Sequence, residues 1–262
     1  MRTSLFWYTK DLRVDDLPAL AGACAASDQV IPVYIWDNEH LEEEADNRKA
    51  FLLDCLRDLD AALRKLGSGL AVHAGETFAT LIALCEKYEC KDVYYTASRD
   101  PATQRLQRAV AASLTGNGIT LHTSEANFLL DPSAIKTKTG TVYRVFTPFK
   151  NAALAMLKVR SEVPHPTRLL QPINSLELPE MKLNVSRFRQ RGGVTEAEKS
   201  WREFKKRGLL HYDEARNDLA NEQGTSKMSA HLNFGTISVH AMARDLLAND
   251  DPMSEAGRTS YM

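Results

Sequence analysis

Apolar positions in the first half of the chain follow two rhythms. Short runs that are apolar almost throughout, "TSLFWYT" at 3–9 and "VIPVYIW" at 30–36, have the length and character of strands buried on both faces. Between them lie stretches with apolar residues at steps of three and four. The clearest is Leu52, Leu56, Leu59, Leu63 and Leu66, one stripe on a helix whose other sides carry Arg57, Asp58, Arg64 and Lys65. Asp46 or Asn47 is placed to cap its start, and Gly67 to end it. "LPALAGACAAS" predicts an earlier helix, with Pro18 in its first turn. "GLAVHAG", "DVYYTA" and "ITLHTS" predict three further strands, separated by the helices "FATLIALCEKY" and "PATQRLQRAVAASLTGNG".

Strand and helix alternating in this way specify a parallel sheet with right-handed crossovers. The expected fold is α/β: a doubly wound, five-stranded, Rossmann-like sheet over residues 1–130. Its ligands should meet the loops after Thr9, Trp36 and Thr96, at the carboxyl ends of strands. The pattern then breaks. "IKTKTGTVYRV" reads as a hairpin turning on Gly140, and "FTPFKNAALAMLKVR" as a helix. Prolines 164, 166, 172 and 179 sit among polar residues, so 131–195 reads as an interdomain linker with one helix, crossing the surface. Residues 196–262 read as the beginning of an all-helical domain.

Composition narrows the possibilities. The 262 residues are 44% apolar and carry a formal net charge of −1, so nucleic-acid binding would need a local patch rather than overall charge. Lys182–Arg207 is rich in basic residues, but a solvated face is the simpler reading of such a run. Cys24, Cys55, Cys85 and Cys90 form no C-x-x-C pair, and no His cluster has zinc spacing. No metal site is expected, only four buried thiols in a reducing compartment. With no run of membrane-spanning length and no signal-peptide pattern, a cytoplasmic protein without membrane contact is expected.

Neither G-x-G-x-x-G nor a P-loop is present, and no catalytic set can be assigned by spacing. Three segments carry candidate chemistry. Lys10, Asp11, Arg13, Asp15 and Asp16 place five charges within seven positions at the exit of the first strand. They could hold a polar ligand or, the reading favoured by spacing alone, form a salt-bridged turn pinning the first helix. Asp100 could serve a ligand or, more simply, cap the helix that follows it. "GTSKMSAHLNFG" at 224–235 places Thr225, Ser226, Ser229 and Lys227 around a helix start, as a phosphate cradle or as a plain Ser/Thr cap.

Taken in order, these segments resemble the DNA photolyase/cryptochrome family. "FWYTKDLRVDD" is similar to that family's opening strand and D-L-R-x-x-D loop, and "VYRVFTPFKNA" to its Y-R-V-F-T-P-F segment. "HYDEARND" and "GTSKMSAHLNFGTIS" are similar to its Y-x-x-x-R-[DN] helix and G-T-S-R-L-S-P-Y-L-x-F-G-x-[IL]-S run. The resemblance covers essentially the whole chain. It implies an antenna domain followed by the first part of an FAD-binding domain, truncated relative to the family.

By that resemblance the full-length form would be a flavoprotein lyase, a deoxyribodipyrimidine photolyase using light and reduced FAD to split pyrimidine dimers flipped out of UV-damaged DNA. A cryptochrome-type photoreceptor and a stand-alone antenna or nucleotide-binding module are the alternatives. The resemblance assigns Tyr212, Thr225, Ser226, Lys227, Met228 and Ser229 to FAD, and Arg216 to DNA. It points to Lys10, Asp11, Arg13 and Asp100 for a second, antenna chromophore of folate, deazaflavin or lumazine type. Catalytic residues stay unassigned.

The chain departs from the family pattern at Thr9 and Lys227, where arginine is usual, and at Leu219, where proline is usual; the antenna loop lacks the usual asparagine. Trp7, Trp36 and Trp201 do not match the family's electron relay. Leu209, Leu210, Leu232, Phe234, Leu246 and Leu247 are expected to form an apolar patch, resolved either by self-association through this region or by disorder toward Met262. This chain alone is not expected to repair DNA.

Overall fold

A computed structural model describes residues 1–37, 41, 44–124, 127–172, 178–187, 189–218, 220–248 and 255–261. Two compact units emerge, neither continuous in sequence. The first comprises 1–126, 163–199 and 228–238; the second comprises 127–162, 200–227 and 239–262. Leu219 lies outside the described residues.

The first unit is built on five strands: β1 (Thr3–Tyr8), β2 (Gln29–Trp36), β3 (Ala71–Ala74), β4 (Asp92–Thr96) and β5 (Thr120–Ser124). They pair in the order β3-β2-β1-β4-β5, all parallel. The expected doubly wound sheet is therefore present. Helices α1 (Pro18–Ala26), α2 (Asp46–Lys65), α3 (Thr77–Lys87) and α4 (Pro101–Gly116) make the crossovers. Side chains alternate across a strand. Phe6 and Tyr8 of β1 pack with Leu20 of α1 and Leu56, Leu59 and Leu63 of α2. Leu5 and Trp7 pack on the opposite face with Leu81 of α3 and Val110 and Leu114 of α4. Both faces are covered, which is why the central strands read as unbroken apolar runs.

Two local expectations change. Neither Asp46 nor Asn47 caps α2: Ala45 is its N-cap residue and makes no side-chain cap. The two side chains instead accept from Asn184 N at 2.7 Å and Ser186 N at 2.9 Å, tying down a later segment. No strand forms among 135–145. A turn does close there, with Thr137 N donating to Thr141 O at 2.8 Å around Gly140 (φ +79°). The threonine-rich flanks bond one another instead of extending a ladder.

The segment from Val163 does more than cross a surface. Val30 N donates to Arg168 O at 3.0 Å and Leu170 N to Val30 O at 2.8 Å. These bonds fill the edge of β2 before β3 begins pairing at Val33, satisfying backbone groups that would otherwise be buried and unpaired. Farther along, Gly192 passes so near α2 that a Cβ there would lie 2.2 Å from Phe51 O. Helix α5 (Phe146–Met156) belongs to the second unit, and α6 (Val194–Glu203) begins in the first. Asp58 of α2 caps α6, accepting from Val194 N at 2.7 Å and from Thr195 Oγ1 at 2.8 Å.

The second unit continues through a π turn (Phe204–Gly208), a 3-10 turn (Leu209–His211) and α7 (Tyr212–Ala215); α8 (Ser229–Phe234) returns to the first unit. The second unit closes with α9 (Val239–Leu247) and α10 (Glu255–Tyr261). Trp201, Phe204, Tyr212 and Tyr261 form an aromatic cluster with ring centroids 5.0–6.0 Å apart. The expected apolar patch shrinks, because Leu209, Phe234 and Leu246 are buried; Leu232 and Leu247 stay exposed, as do Val142, Val145 and Phe146.

One strained position offers a test. Glu89 sits at φ +50° where α3 ends, whereas glycines fill the equivalent left-handed position after α2 (Gly67, φ +76°) and α4 (Gly118, φ +70°). Glu89→Gly is expected to stabilise the protein by about 1 kcal/mol, read as a higher midpoint in urea unfolding. An unchanged midpoint would mean that the glutamate side chain already offsets the strain.

Candidate functional site

The connection direction reverses between β1 and β4, which makes their carboxyl ends the switch point of the sheet. A cavity of about 220 Å³ opens there, wholly within the first unit. Trp7, Tyr8, Thr9 and Lys10 reach it from β1, Tyr34, Ile35 and Asp37 from β2, and Asp100, Thr103 and Leu106 from the β4 side. Arg48, Lys49 and Leu52 of α2, Thr77 of α3 and Phe234 complete the wall. An apolar, aromatic floor with charges at the mouth suits a flat, polar-edged molecule.

Of the four sequence candidates here, the structure brings two together. Lys10 Nζ lies 3.2 Å from Asp100 Oδ2, joining the loops after β1 and β4 across the switch point. Asp100 also caps α4, accepting from Thr103 N at 2.9 Å and Thr103 Oγ1 at 2.7 Å. The Thr103 bonds, with Lys10 adding to them, hold its carboxyl at about 2.

Asp11 and Arg13 go elsewhere. Asp11 is fully buried and accepts from Thr9 N at 2.9 Å; burial raises its pKa against that bond. Arg13 is buried and donates to three carbonyls: Asp15 O (3.1 Å), Asp16 O (3.1 Å) and Gly235 O (2.9 Å). Asp16 accepts from Ser238 Oγ and, at 3.3 Å, from Val163 N. The charged loop after β1 is thus a structural knot that holds 228–238 against the sheet. Sequence reasoning missed the contributions of Arg48, Lys49 and Phe234 to the cavity wall. Arg48 pairs with Glu44 at 2.9 Å and lies 5.2 Å over the Phe234 ring. Only Asp37, at the exit of β2, was discoverable from the rule that ligands meet strand ends.

The 224–235 run divides between the two units after Lys227. In the second unit, Thr225 and Lys227 are exposed and Ser226 is half-buried. Tyr261 OH donates to Ser226 Oγ at 2.8 Å, and its ring centroid lies 5.0 Å from that of Tyr212. Tyr212 and Ser226 therefore flank one side chain, although 14 positions separate them. Arg216 is exposed, its guanidinium 5.9 Å over the Tyr212 ring. In the first unit, Met228 is buried and Ser229 exposed. No Ser/Thr cap forms at this helix start: Met228 occupies the N-cap position of α8 without a side-chain bond. What Tyr212, Thr225, Ser226 and Lys227 offer is a set of donors containing no carboxylate, the chemistry that suits a diphosphate.

A family model described as DNA photolyase matches residues 4–168. The chain belongs to the DNA photolyase family. A deoxyribodipyrimidine photo-lyase of Streptomyces griseus is 29% identical over 245 residues, covering 91% of this chain and 54% of that protein. A cryptochrome DASH of Natronomonas pharaonis is 28% identical over 275 residues, covering 96% and 57%. The crystal structure of a class III photolyase from Agrobacterium tumefaciens matches with a TM-score of 0.85 at 25% identity, covering 100% of this chain and 56% of that one. The chain thus spans little more than half the length of these photolyase-family relatives. Among the described residues no helix is long and apolar enough to cross a membrane, and no cluster of metal-ligating side chains occurs.

Two outcomes are expected in this unit of the photolyase-family chain. Asp100→Ala should cost about 1 kcal/mol through loss of the α4 cap, measured by urea unfolding. His231 is fully buried, bonded through Nδ1 to Thr236 Oγ1 at 2.8 Å, and burial holds it down at about 4. The unfolded chain binds that proton more tightly, so stability falls as pH drops from 6.5 towards 4, by roughly 2–3 kcal/mol in all. In His231→Asn that slope should flatten in unfolding curves taken across the interval.

Proposed function

We propose that the chain is the α/β antenna domain and the opening of the FAD-binding domain of a photolyase-like flavoprotein. In its longer form this is a lyase that repairs pyrimidine dimers in UV-damaged DNA. The observation that carries the reading is the grouping of Tyr212, Ser226 and Tyr261 in one unit, with Thr225 and Lys227 exposed beside Ser226. Reduced FAD, when bound, would supply the light-driven electron. The part of this chain is to hold the diphosphate: the hydroxyls of Thr225, Ser226 and Tyr212 donate, and the Lys227 ammonium adds a point charge where a fork-shaped guanidinium would give two bonds. Met228 and Ser229 complete the FAD set, and Arg216 contributes to DNA contact. The domain limits are 1–130, 131–195 and 196–262, and the protein acts in the cytoplasm.

The switch-point cavity supports a second chromophore. It lies within one unit, is walled by Trp7, Tyr34 and Phe234, and has Lys10 and Asp100 at its mouth. The same self-sufficiency favours the reading of an antenna or nucleotide-binding module acting without catalysis. Self-association through exposed Leu247, Val145 and Phe146 belongs with the same proposal.

Titration of the purified chain with FAD, followed by flavin fluorescence, tests the cradle. Binding is expected, and Lys227→Ala should weaken it about tenfold, the worth of one charge-assisted bond. Absence of binding, or binding indifferent to both Ser226→Ala and Lys227→Ala, would remove FAD from the reading. Light-dependent loss of dimers from an irradiated oligonucleotide is not expected of this chain alone.

A further inference from the structure

Three crossover helices of the first unit end in the same way. In each, a residue two places beyond the cap donates its N–H back to a carbonyl five positions earlier: Ser68 N to Leu63 O (3.0 Å), Cys90 N to Cys85 O (2.9 Å) and Ile119 N to Leu114 O (3.0 Å). This bond brings the side chains of its two residues together, ordinarily as an apolar contact. After α4 the pair is Leu114 and Ile119; after α3 it is two thiols, Cys85 and Cys90, both buried in the core face shared with Leu81 and Val93. The α3 end is also the one whose left-handed position holds Glu89 rather than glycine. It carries backbone strain that the other two avoid.

We propose that Cys85 and Cys90 are a redox-active dithiol that small peroxides close into a disulfide. The turn sets the separation of the two residues, and both thiols lie in the same core face. A disulfide needs Cα atoms roughly 4.4–6.8 Å apart, a span short enough for a turn of this kind to supply. Exposed Glu86, Lys87, Glu89 and Lys91 flank the two cysteines along the chain. Cys24 and Cys55 are also buried, but on the other face of the sheet.

The chemistry balances with hydrogen peroxide as the oxidant. Each thiol shifts the other: Cys90 raises Cys85, and Cys85 lowers Cys90. The Cys90 sulfur attacks one peroxide oxygen, the O–O bond breaks, and the departing hydroxide takes up the Cys90 thiol proton as water. The Cys85 sulfur then attacks the Cys90 sulfenic sulfur. The S–O bond breaks, and a second water leaves with the Cys85 proton. Two thiols are oxidised and one peroxide is reduced to two waters.

The test uses the intact folded chain. After exposure to hydrogen peroxide and blocking of free thiols, the protein should have lost two hydrogens and two alkylation sites. Trypsin cuts after Lys87, so a Cys85–Cys90 bridge should join two peptides that dithiothreitol separates. Cys24 and Cys55 should remain alkylated. The oxidised chain should melt about 2–5 °C higher, a shift absent in Cys90→Ala. Alkylation of both residues after peroxide, bridges to Cys24 or Cys55, or oxidation of Cys90 to a sulfinic acid without a bridge would each overturn the proposal.

Discussion

The buried guanidinium of Arg13 is the constraint on which the first unit depends. A charge taken out of water is costly unless its donors are satisfied. Three of its acceptors are main-chain carbonyls, two from the turn leading into α1 and one, Gly235 O, from more than two hundred residues later. Gly235 has no freedom to be another residue: a Cβ there would lie 2.2 Å from Lys10 O, and its φ is +66°. Leu12 N completes the junction by donating to Phe234 O at 3.0 Å. One cation therefore fixes both the first turn after β1 and the docking of a segment far along the chain.

That junction shapes the cavity. Phe234 would have no reason to line a pocket at strand ends if its backbone were not clamped beside Leu12. Lys10, on the same loop, is turned to the opposite task of bridging to Asp100 across the switch point. Three neighbouring charges thus divide their labour. Asp11 and Arg13 face inward and hold the loop, while Lys10 faces the mouth. The sheet order explains why the mouth is there, since crossovers diverge from β1 and β4 and leave their carboxyl ends uncovered.

This division marks what could be read from sequence. The strands and the four crossover helices were legible because each buries a periodic apolar set, and periodicity is a local property. The end of α2 was legible because Gly67 supplies a left-handed residue. The start of α2 was not, because Asp46 and Asn47 are engaged by residues 184 and 186. The turn around Gly140 was legible, but no strands flank it among the described residues. Arg13 and Asp16 could be listed as charges near a strand end, yet their inward direction follows from Gly235, Ser238 and Val163, which no window around residue 13 contains. The same holds for Arg48 and Phe234 at the cavity.

The run from Gly224 to Ser229 shows where a family pattern and local physics part company. By pattern it is a helix start dressed with hydroxyls. Structurally, the helix that follows has only six residues and is capped by a buried methionine without a side-chain bond, so dipole and cap contribute little. The notable feature is Lys227, a non-glycine residue at φ +55°. Holding a side chain there costs on the order of 1 kcal/mol or more. Glycine would relieve the cost but would also remove the ammonium. In the proposed cradle that conformation would keep the ammonium beside Thr225 and Ser226. Strain at Lys227, more than the helix start, is therefore the local feature on which the proposed anion cradle rests.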